Sequence, residues 1–410
     1  MSSSVSPGRR VAARALLAVE DGAHVEDRLA IEAPARPADR ALAWHLALGV
    51  LRRQGSLDAA LSAGLGRAVE KMEPPVRVAL RIGAFELAFS RVPPHAAVHE
   101  AVELVRSIGA GRASGLVNAG LRRFDPARMP ADPLVDLPPW LANRWSDFRP
   151  WVARCGEPAP LCGVWARSPT EGLDVLPAFA AGAPVEGAFR LGAFDGAVDQ
   201  LPGFAAGDWW VMDPAAVRVA QLTLAAAQAS GGPAPRVLDA CAAPGGKSFY
   251  FASRGARVLA TDADPARLDR LRAGARRLRL SLDALPWDWS TENPDWDSAF
   301  DAVLVDAPCT GLGTIRRHPE IRWRRLPSDP AAMAVRQRAL LYAASSAVAP
   351  GGALVYAVCS LEPEEGPAVA ASLPGWHVVE QFATRPPAGD EDGHQAFVLR
   401  RDGEAPLPPV

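Results

Sequence analysis

Two cysteines that each follow a predicted strand are the residues of this sequence best suited to covalent chemistry. Cys309 follows the run FDAVLVD (300–306) in the order Asp-Ala-Pro-Cys, and Cys359 ends the run YAVC. A thiolate is a strong nucleophile, and a nearby cation favours it over the thiol, whose reference pKa is about 8.5. A free cysteine is most often an inert buried residue. Two of them at strand ends, beside turn prolines and a lysine, indicate reactive thiols instead.

The nearby cation is Lys247, the last residue of the stretch VLDACAAPGGK (237–247). This stretch starts as an apolar strand, ends the strand on Asp239 and turns through glycines, which is typical of the first β-loop-α unit of a doubly wound sheet. Such glycines let the backbone approach a ligand, and the following helix N-terminus favours polar groups there. The chain has only two lysines, Lys71 and Lys247. An ordinary strand-turn-helix with a solvated lysine is the alternative interpretation.

Three aspartates stand at the ends of successive predicted strands. Asp262 follows RVLAT and suits ribose hydroxyls, Asp288 lies in PWDWS and suits an adenine amino group, and Asp306 ends FDAVLVD. Each carboxylate alone could simply cap a helix. Together they favour a ligand site. The loop AAPGGKS lacks the first glycine of a Walker-type loop, which disfavours phosphate transfer.

The elements that must position these side chains alternate from Pro235 onward. We predict strands at 236–239, 257–261, 283–286, 301–305, 353–358 and 396–399, with helices at 247–254, 265–277, 331–348 and 363–372. The pattern predicts an α/β fold with a mostly parallel sheet and helices on both faces. Before it, residues 8 to about 125 read as a bundle of short helices. The predicted domains are helical (1–127), a linker with a small α+β insert (128–212), α/β (213–402) and a tail (403–410).

Composition restricts the class of protein further. The 410 residues carry a net charge of -2 and five cysteines. An odd number of cysteines without paired metal-ligand spacing predicts neither a disulfide framework nor a metal site. No signal peptide or membrane span is expected, so we predict a cytoplasmic monomer. Any nucleic-acid surface must be local, and arginines of the helical region could supply it: Arg9, Arg10, Arg14, Arg52, Arg53, Arg122 and Arg123. A solvated arginine-rich surface is the alternative.

Longer motifs resemble a known family. VLDACAAPGGK, FDAVLVDAPCTGLGTIRRHPEIRW (300–323) and YAVCSLEPEE (356–365) are similar to the motifs of Sun-type RNA cytosine-C5 methyltransferases. LRIGAFELAF (80–89), PPHAAVHEAVELVR (93–106) and LVNAGLRRF (116–124) resemble the NusB-like RNA-binding domain of the bacterial members. The resemblance extends over residues 8 to 400 or so.

The resemblance implies S-adenosylmethionine as methyl donor, RNA as substrate, and a Rossmann-like methyltransferase sheet behind an all-α NusB-like domain. It implies that Cys359 is the nucleophile, that Cys309 assists product release, and that Asp306 and Lys247 belong to the catalytic group. The implied donor-binding residues are Cys241, Ala242, Ala243, Pro244, Gly245, Gly246, Lys247, Asp262, Asp288 and Asp306. His318, Arg322 and Trp323 would position RNA or brace the site.

Small departures from the family pattern leave every catalytic group in place. Val358 stands where threonine is more usual, Met212 where a polar residue is, and Arg322 where lysine is. The NusB-like domain favours small-subunit rRNA as the substrate, by analogy only. Methylation of tRNA and a non-catalytic rRNA-binding assembly factor remain alternatives. DNA methylation is a fourth, and there Cys309 would be the nucleophile.

Overall fold

The computed structural model describes residues 5–167, 185–192, 197–385, 389 and 391–403. The chain divides into two compact units. The helical unit contains Met1–Pro158 and Ile315–Pro327, and the sheet unit contains Ala159–Thr314 and Ser328–Val410. These units group 128–158 and 315–327 with the helices. The finer division of the chain, with boundaries at 127/128 and 212/213, remains a prediction. Most of the predicted tail, 404–410, lies outside the described residues.

The α-helices, numbered in chain order over both units, have the following bounds: α1 Pro7–Glu20, α2 Val25–Ile31, α3 Pro37–Leu65, α4 Pro74–Phe89, α5 Pro94–Ser107, α6 Ser114–Arg123, α7 Pro139–Arg144, α8 Arg149–Arg154, α9 Pro214–Gly231, α10 Gly246–Ser253, α11 Pro265–Leu278, α12 Ile321–Arg324, α13 Asp329–Ser345 and α14 Pro367–Ala370. Short 3-10 helices lie at Val69–Lys71, Gly111–Ala113, Pro126–Arg128, Pro133–Asp136, Ser146–Phe148, Val198–Gln200, Pro294–Trp296 and Leu312–Thr314.

The helical unit confirms the predicted bundle but not the expectation that every helix is short. Helix α3 has 29 residues, which makes it far longer than the short helices predicted for this region. Its interior glycines, which weaken helix propensity, allow close packing. A Cβ on Gly49 would lie 2.1 Å from Cζ of Phe85, and one on Gly55 would lie 1.8 Å from the carbonyl oxygen of Val135. Tertiary packing therefore sustains a helix that local propensity does not predict.

The strands are β1 Cys162–Trp165, β2 Ala188–Arg190, β3 Trp209–Val211, β4 Arg236–Asp239, β5 Arg257–Asp262, β6 Asp283–Pro286, β7 Phe300–Asp306, β8 Val348–Val358, β9 Trp376–Ala383 and β10 Gln395–Arg401. Strands β1–β3 form a small antiparallel sheet in the order β2-β1-β3, within the predicted α+β insert. The other seven form one sheet in the order β6-β5-β4-β7-β8-β10-β9.

The large sheet is parallel from β6 to β8, and β10 and β9 complete it antiparallel. Alternate residues of its central strands pack into two different cores. Val237 and Leu304 face one core, and Leu238 and Val303 face the other. Both faces are thus covered, which explains why these strands read as continuous apolar runs. The predicted α/β architecture is confirmed.

Two details of the large sheet were not predicted. Strand β9 was not predicted because its sequence lacks an apolar face. It is an edge strand, and its side chains are largely exposed. The predicted helix 363–372 is reduced to the four residues of α14. Pro363 and Pro367 keep the intervening residues out of a regular helix, and that segment becomes a turn in which Glu365 and Gly366 are buried. Within the described residues, no helix combines the length and apolarity needed to cross a bilayer.

Candidate active site

Strand register brings the predicted site residues to one edge of the large sheet. Asp239, which ends β4, pairs with Ala260 of β5 on one side and with Leu304 of β7 on the other. Asp306, which ends β7, pairs with Ala357, two residues before Cys359. Because the strands are parallel, their carboxyl ends meet here, where ligands of doubly wound sheets bind.

A cavity of about 480 Å³ opens at this edge. The predicted site residues that line it are Cys241, Ala243, Asp262, Asp288, Asp306, Cys309 and Cys359. The structure thus brings together residues that are more than 100 positions apart in the sequence. Ala242, Pro244, Gly245, Gly246 and Lys247 do not line this cavity. Pro244 and Gly246 instead line a neighbouring cavity of about 540 Å³, together with Trp210 and Phe249.

The glycine turn has the conformation that its sequence predicts. Gly245 precedes α10 with φ at 113°, a region that side chains rarely adopt. A Cβ at this position would also lie 2.6 Å from Cζ of Phe249 and 2.8 Å from Cγ of Leu271. Glycine is therefore required both by the backbone angle and by the packing behind the loop.

Lys247 is paired with Asp306 rather than solvated. Its Nζ lies 2.7 Å from Oδ2 of Asp306, and both side chains are largely buried. Burial disfavours the ammonium charge, but the carboxylate of Asp306 outweighs it and raises the pKa of Lys247. The site therefore holds a fixed positive charge against the carboxylate that ends β7.

The two cysteines are in contact. Sγ of Cys309 and Sγ of Cys359 are 3.3 Å apart, close enough for one thiol to donate a hydrogen bond to the other sulfur. The interaction with Cys359 and the burial of the thiol raise the pKa of Cys309 well above its usual value. Cys309 is therefore held as a thiol as long as Cys359 carries no covalent substituent. The S–H group of Cys309 is placed to donate to the Cys359 sulfur.

Asp239 lies beneath the loop as a buried carboxyl. It accepts a hydrogen bond of 2.7 Å from the hydroxyl of Ser248 in α10, which ties the strand to the helix across the glycine turn. Burial raises its pKa to about 7, against the hydrogen bond from Ser248. Cys241 is partly buried beside these acids, and its burial and their negative charge raise the pKa of its thiol. A raised pKa favours the neutral thiol, which suits Cys241 to the wall of the cavity.

Asp262 and Asp288 form the other side of the cavity. The carboxylate of Asp262 accepts from the backbone N–H of Ala243 at 3.2 Å and pairs with Arg267 at 3.3 Å, so it also braces the glycine loop. Asp288 is exposed and accepts from the N–H of Ser290 at 2.9 Å. Beside it, Trp289 is buried and donates to the hydroxyl of Thr261 at 2.9 Å.

These side chains fit the parts of S-adenosylmethionine by their chemistry. Carboxylates accept hydrogen bonds from ribose hydroxyls and from amino groups, and indole rings offer flat apolar surface to an adenine. Asp262, Asp288 and Trp287 place those groups together on the cavity wall. Sequence reasoning missed Arg267 and Arg336, which also line the cavity. Arg267 lies in the arginine-rich helix α11 and Arg336 in helix α13, and neither stands in a motif that singles it out.

The residues predicted to position RNA after Cys309 lie in the helical unit. Arg322 is fully buried, and its guanidinium donates to the carbonyl oxygens of Asp136 at 3.2 Å, Cys155 at 3.2 Å and Ile315 at 2.9 Å. Trp323 donates to the carbonyl oxygen of Leu51 at 2.8 Å. His318 is partly exposed and lies 3.7 Å from Glu26. Arg322 and Trp323 therefore brace the helical unit, and Arg322 cannot contact RNA from this position.

Two arginines of the predicted basic face of the helical unit are buried and are not available to phosphates. Arg9 is buried and its guanidinium bonds Glu86 at 2.6 Å. Arg52 is buried and donates to the carbonyl oxygen of Arg316 at 3.3 Å, and burial lowers its pKa to about 10. These two arginines have structural partners, so the sequence pattern overestimates the charge available to phosphates.

A seven-stranded sheet of this order, with a glycine turn after β4 and acids after β5, β6 and β7, defines the class. The fold is that of an S-adenosylmethionine-dependent methyltransferase, here with a NusB-like helical region before it. The family model described as 16S rRNA methyltransferase RsmB/F matches residues 230–390, and that of the NusB family matches residues 6–126.

Relatives with similar sequences match most of the chain. It is similar to "Ribosomal RNA small subunit methyltransferase B" of Thermus thermophilus, with 38% identity over 88% of this chain and 85% of that protein. The protein of the same name from Vibrio cholerae is 34% identical over 87% of this chain and 86% of the relative. The chain belongs to the RsmB/F family of rRNA methyltransferases, and S-adenosylmethionine is its methyl donor.

Solved structures share the fold. The crystal structure of PH0851 superposes with a TM-score of 0.77 at 20% identity, covering 97% of this chain and 99% of that one. A methyltransferase homologue from Pyrococcus horikoshii gives a TM-score of 0.50 at 22% identity, covering 64% of this chain and 94% of that one. At these identities the likeness concerns the fold alone.

Proposed function

We propose that this protein transfers the methyl group of S-adenosylmethionine to C5 of a cytosine in small-subunit (16S) rRNA, through a covalent bond between Cys359 and C6 of the base. The observation that carries the proposal is the contact of 3.3 Å between the two cysteine sulfurs at the wall of the cavity that Asp306 also lines. A methyltransferase acting on an already nucleophilic oxygen or nitrogen needs no such pair. The relatives named for the small ribosomal subunit support rRNA as substrate.

The first step makes C5 reactive. Cytosine C5 is too weak a nucleophile to attack a methyl sulfonium unaided. The Cys359 thiolate, having lost its proton to water, adds to C6, and this breaks the conjugation of the ring and leaves C5 enamine-like. The Cys309 thiol donates a hydrogen bond to the Cys359 sulfur and so stabilises the thiolate before the attack. The base must leave its stack to reach the cavity.

Asp306 and Lys247 hold the base during that addition. The Asp306 carboxylate accepts a hydrogen bond from the exocyclic amino group of cytosine, on its N3/N4 edge. Lys247, 2.7 Å from Asp306, fixes that carboxylate and supplies positive charge close to the ring as electrons move toward N3. The donor would supply the methyl group, which C5 takes with its new electron pair as the methyl–sulfur bond breaks and S-adenosylhomocysteine is left.

Product release needs a base for the C5 proton, and Cys309 is placed to supply it. The contact with Cys359 is the largest cause of the raised pKa of Cys309. Bonding of Cys359 to C6 removes this cause and leaves the burial of Cys309 in place, so we expect the pKa of Cys309 to fall at the stage where a base is needed. It takes the C5 proton, the C5–C6 double bond reforms, and Cys359 leaves as thiolate.

Transfer of radiolabelled methyl from S-adenosylmethionine tests the substrate. Purified 16S rRNA, small ribosomal subunits, tRNA and duplex DNA are compared, and the labelled nucleoside is identified by chromatography. We expect 5-methylcytidine in rRNA, with a loss of at least about 10³-fold in Cys359→Ala. Cys162→Ala, which removes a buried thiol from β1, is the matched control and keeps activity.

The other outcomes of this assay are informative in different ways. Label in tRNA alone would keep the chemistry and overturn the substrate. Label in DNA would favour Cys309 as nucleophile. No label in any substrate, with donor binding intact, would contradict the enzyme assignment and favour a non-catalytic assembly factor.

A further inference from the structure

A buried carboxylate lies directly behind the two cysteines. Glu365 is completely buried in the turn between β8 and α14. Its Oε1 accepts from the backbone N–H of Thr310 at 2.8 Å and from Nε2 of Gln337 at 3.0 Å. Its Oε2 accepts from the hydroxyls of Thr310 and Ser360, each at 2.5 Å. Four donors thus meet the acceptor capacity of one ionised carboxylate.

The partners of Glu365 are the residues that follow the two cysteines. Thr310 comes directly after Cys309, and Ser360 comes directly after Cys359. The two hydroxyls are also 3.3 Å from each other. Loops from the ends of β7 and β8, 50 residues apart in sequence, are thereby joined through one side chain. The carboxylate fixes the spacing between those loops and hence between the sulfurs they carry.

Other contacts hold Glu365 itself in place. The hydroxyl of Tyr356 in β8 donates to the Glu365 carbonyl oxygen at 2.5 Å. Gln337 of α13 donates from the same nitrogen to the carbonyl oxygen of Pro308 at 3.0 Å, next to Cys309. Gln395 of β10 donates to the carbonyl oxygen of Ser360 at 2.8 Å. Because a helix and two strands anchor the group, it is rigid without touching the cavity, whose lining does not include Glu365.

We infer that Glu365 is a positioning residue that holds Cys309 and Cys359 at hydrogen-bonding distance, and that the reaction depends on it although it touches neither base nor donor. This inference deepens the proposed function and rests on it. A displacement of about 1 Å between reacting groups can lower a rate by about 10²-fold. Loss of the carboxylate should therefore reduce kcat and leave KM for RNA and donor affinity nearly unchanged.

Glu365→Gln is the test variant, since it keeps the shape of the side chain but turns an amide NH2 toward hydroxyl donors. Glu380→Gln, on the exposed edge strand β9, is the control for loss of one negative charge. We expect kcat to fall about 10–100-fold in Glu365→Gln, with KM and donor Kd within about twofold of wild type, by the same displacement argument. Thr310→Val and Ser360→Ala should each give a smaller loss, and the double variant should be non-additive.

A second readout does not need methyl transfer. The rate at which iodoacetamide alkylates Cys359, followed by peptide mass spectrometry across pH, reports how closely Cys309 supports the thiolate. We expect that pH profile to shift to higher pH in Thr310→Val and in Ser360→Ala, which loosen the group but leave the charge of Glu365 in place, and to stay unchanged in Glu380→Gln. This result would stand even if the protein methylated a different substrate, so the two proposals fail separately.

Unchanged kcat in folded Glu365→Gln, together with an unchanged alkylation profile in Thr310→Val and Ser360→Ala, would overturn the inference. A higher KM for RNA or weaker donor binding, with kcat unchanged, would also overturn it. If Glu365→Gln does not fold, Thr310→Val and Ser360→Ala decide the matter. Wild-type kcat and profile in both would overturn the positioning role, and the losses described would support it.

Discussion

At the scale of single residues, the site is defined by titratable groups whose surroundings differ sharply. Lys247 and Asp306 form a charged pair, Cys309 is held protonated, and Asp239 is a buried carboxyl that accepts from the neutral hydroxyl of Ser248. Groups of this kind cluster where chemistry is done. The sequence predicted which residue types meet at the sheet edge, but only the fold shows which partner each one takes.

Asp239 gives a prediction about stability and pH. Its carboxyl has an ordinary pKa of 3.8 in the unfolded chain and a pKa of about 7 when folded. Between those values the folded state binds the extra proton, so this group makes the free energy of unfolding fall as pH rises from 4 to 7. The total is roughly 4 kcal/mol, from about 1.4 kcal/mol for each pKa unit.

Asp239→Asn removes that dependence. Urea denaturation of both proteins at pH 5, 6, 7, 8 and 9 measures it. The variant should gain stability relative to wild type as pH rises to 7, with no further change above pH 8. A difference between the two proteins that stays constant with pH would mean that Asp239 is not a buried neutral carboxyl.

At the scale of elements, the parallel strands were predictable and the edges were not. Strands β4, β5 and β7 carry apolar runs that end in aspartate, so sequence places both the strands and the acids. Strand β9 has no apolar face, and the turn that carries Glu365 was predicted as helix. Buried polar side chains such as Glu365 look like surface residues in a sequence, since their partners lie far away along the chain.

The turn before α10 allows a matched test of why glycine is needed. Gly245→Ala introduces a strained φ and a clash with Phe249, whereas Gly255→Ala introduces a strained φ at a position with nothing within 4 Å. We expect both variants to lose about 1 kcal/mol or more of stability from the backbone angle. Gly245→Ala alone should also weaken binding of S-adenosylhomocysteine, by at least about tenfold, because its loop must shift.

Isothermal titration with S-adenosylhomocysteine checks this pair. Equal affinities in Gly245→Ala and wild type would show that the loop tolerates a side chain, and would remove the packing argument. Weakened binding in Gly255→Ala as well would attribute the effect to the helix rather than to the loop.

At the scale of the whole molecule, the helical unit is built from two separate segments of the chain. Residues 315–327 follow the Cys309 loop in sequence but group with the helices, and Arg322 bonds three backbone carbonyl oxygens there. The sequence places this segment in the α/β domain, because nothing in a linear pattern reveals that a loop belongs to another unit. From the sequence alone, Arg322 could therefore be a group that positions RNA or one that braces the site, and its carbonyl partners favour a bracing role in the helical unit.

Arg322→Met tests the structural role. Three buried carbonyl oxygens would lose their donor, and we expect a loss of roughly 3 kcal/mol or more in stability. Arg112→Met, where the side chain is 80% exposed and pairs with Glu73, should change stability by less than about 1 kcal/mol. Chemical denaturation followed by circular dichroism compares them. A stable Arg322→Met protein with weakened RNA affinity would restore the RNA-positioning interpretation.

The roles of the two cysteines are tested most directly by trapping the protein on RNA. Small-subunit rRNA containing 5-fluorocytosine, which cannot lose a proton from C5, is incubated with S-adenosylmethionine and the wild type, Cys359→Ala or Cys309→Ala, and adducts are separated on a denaturing gel. We predict an adduct with wild type and with Cys309→Ala, and none with Cys359→Ala. On ordinary rRNA, Cys309→Ala should also accumulate adduct because release is slowed. An adduct that survives Cys359→Ala and disappears in Cys309→Ala would contradict the account.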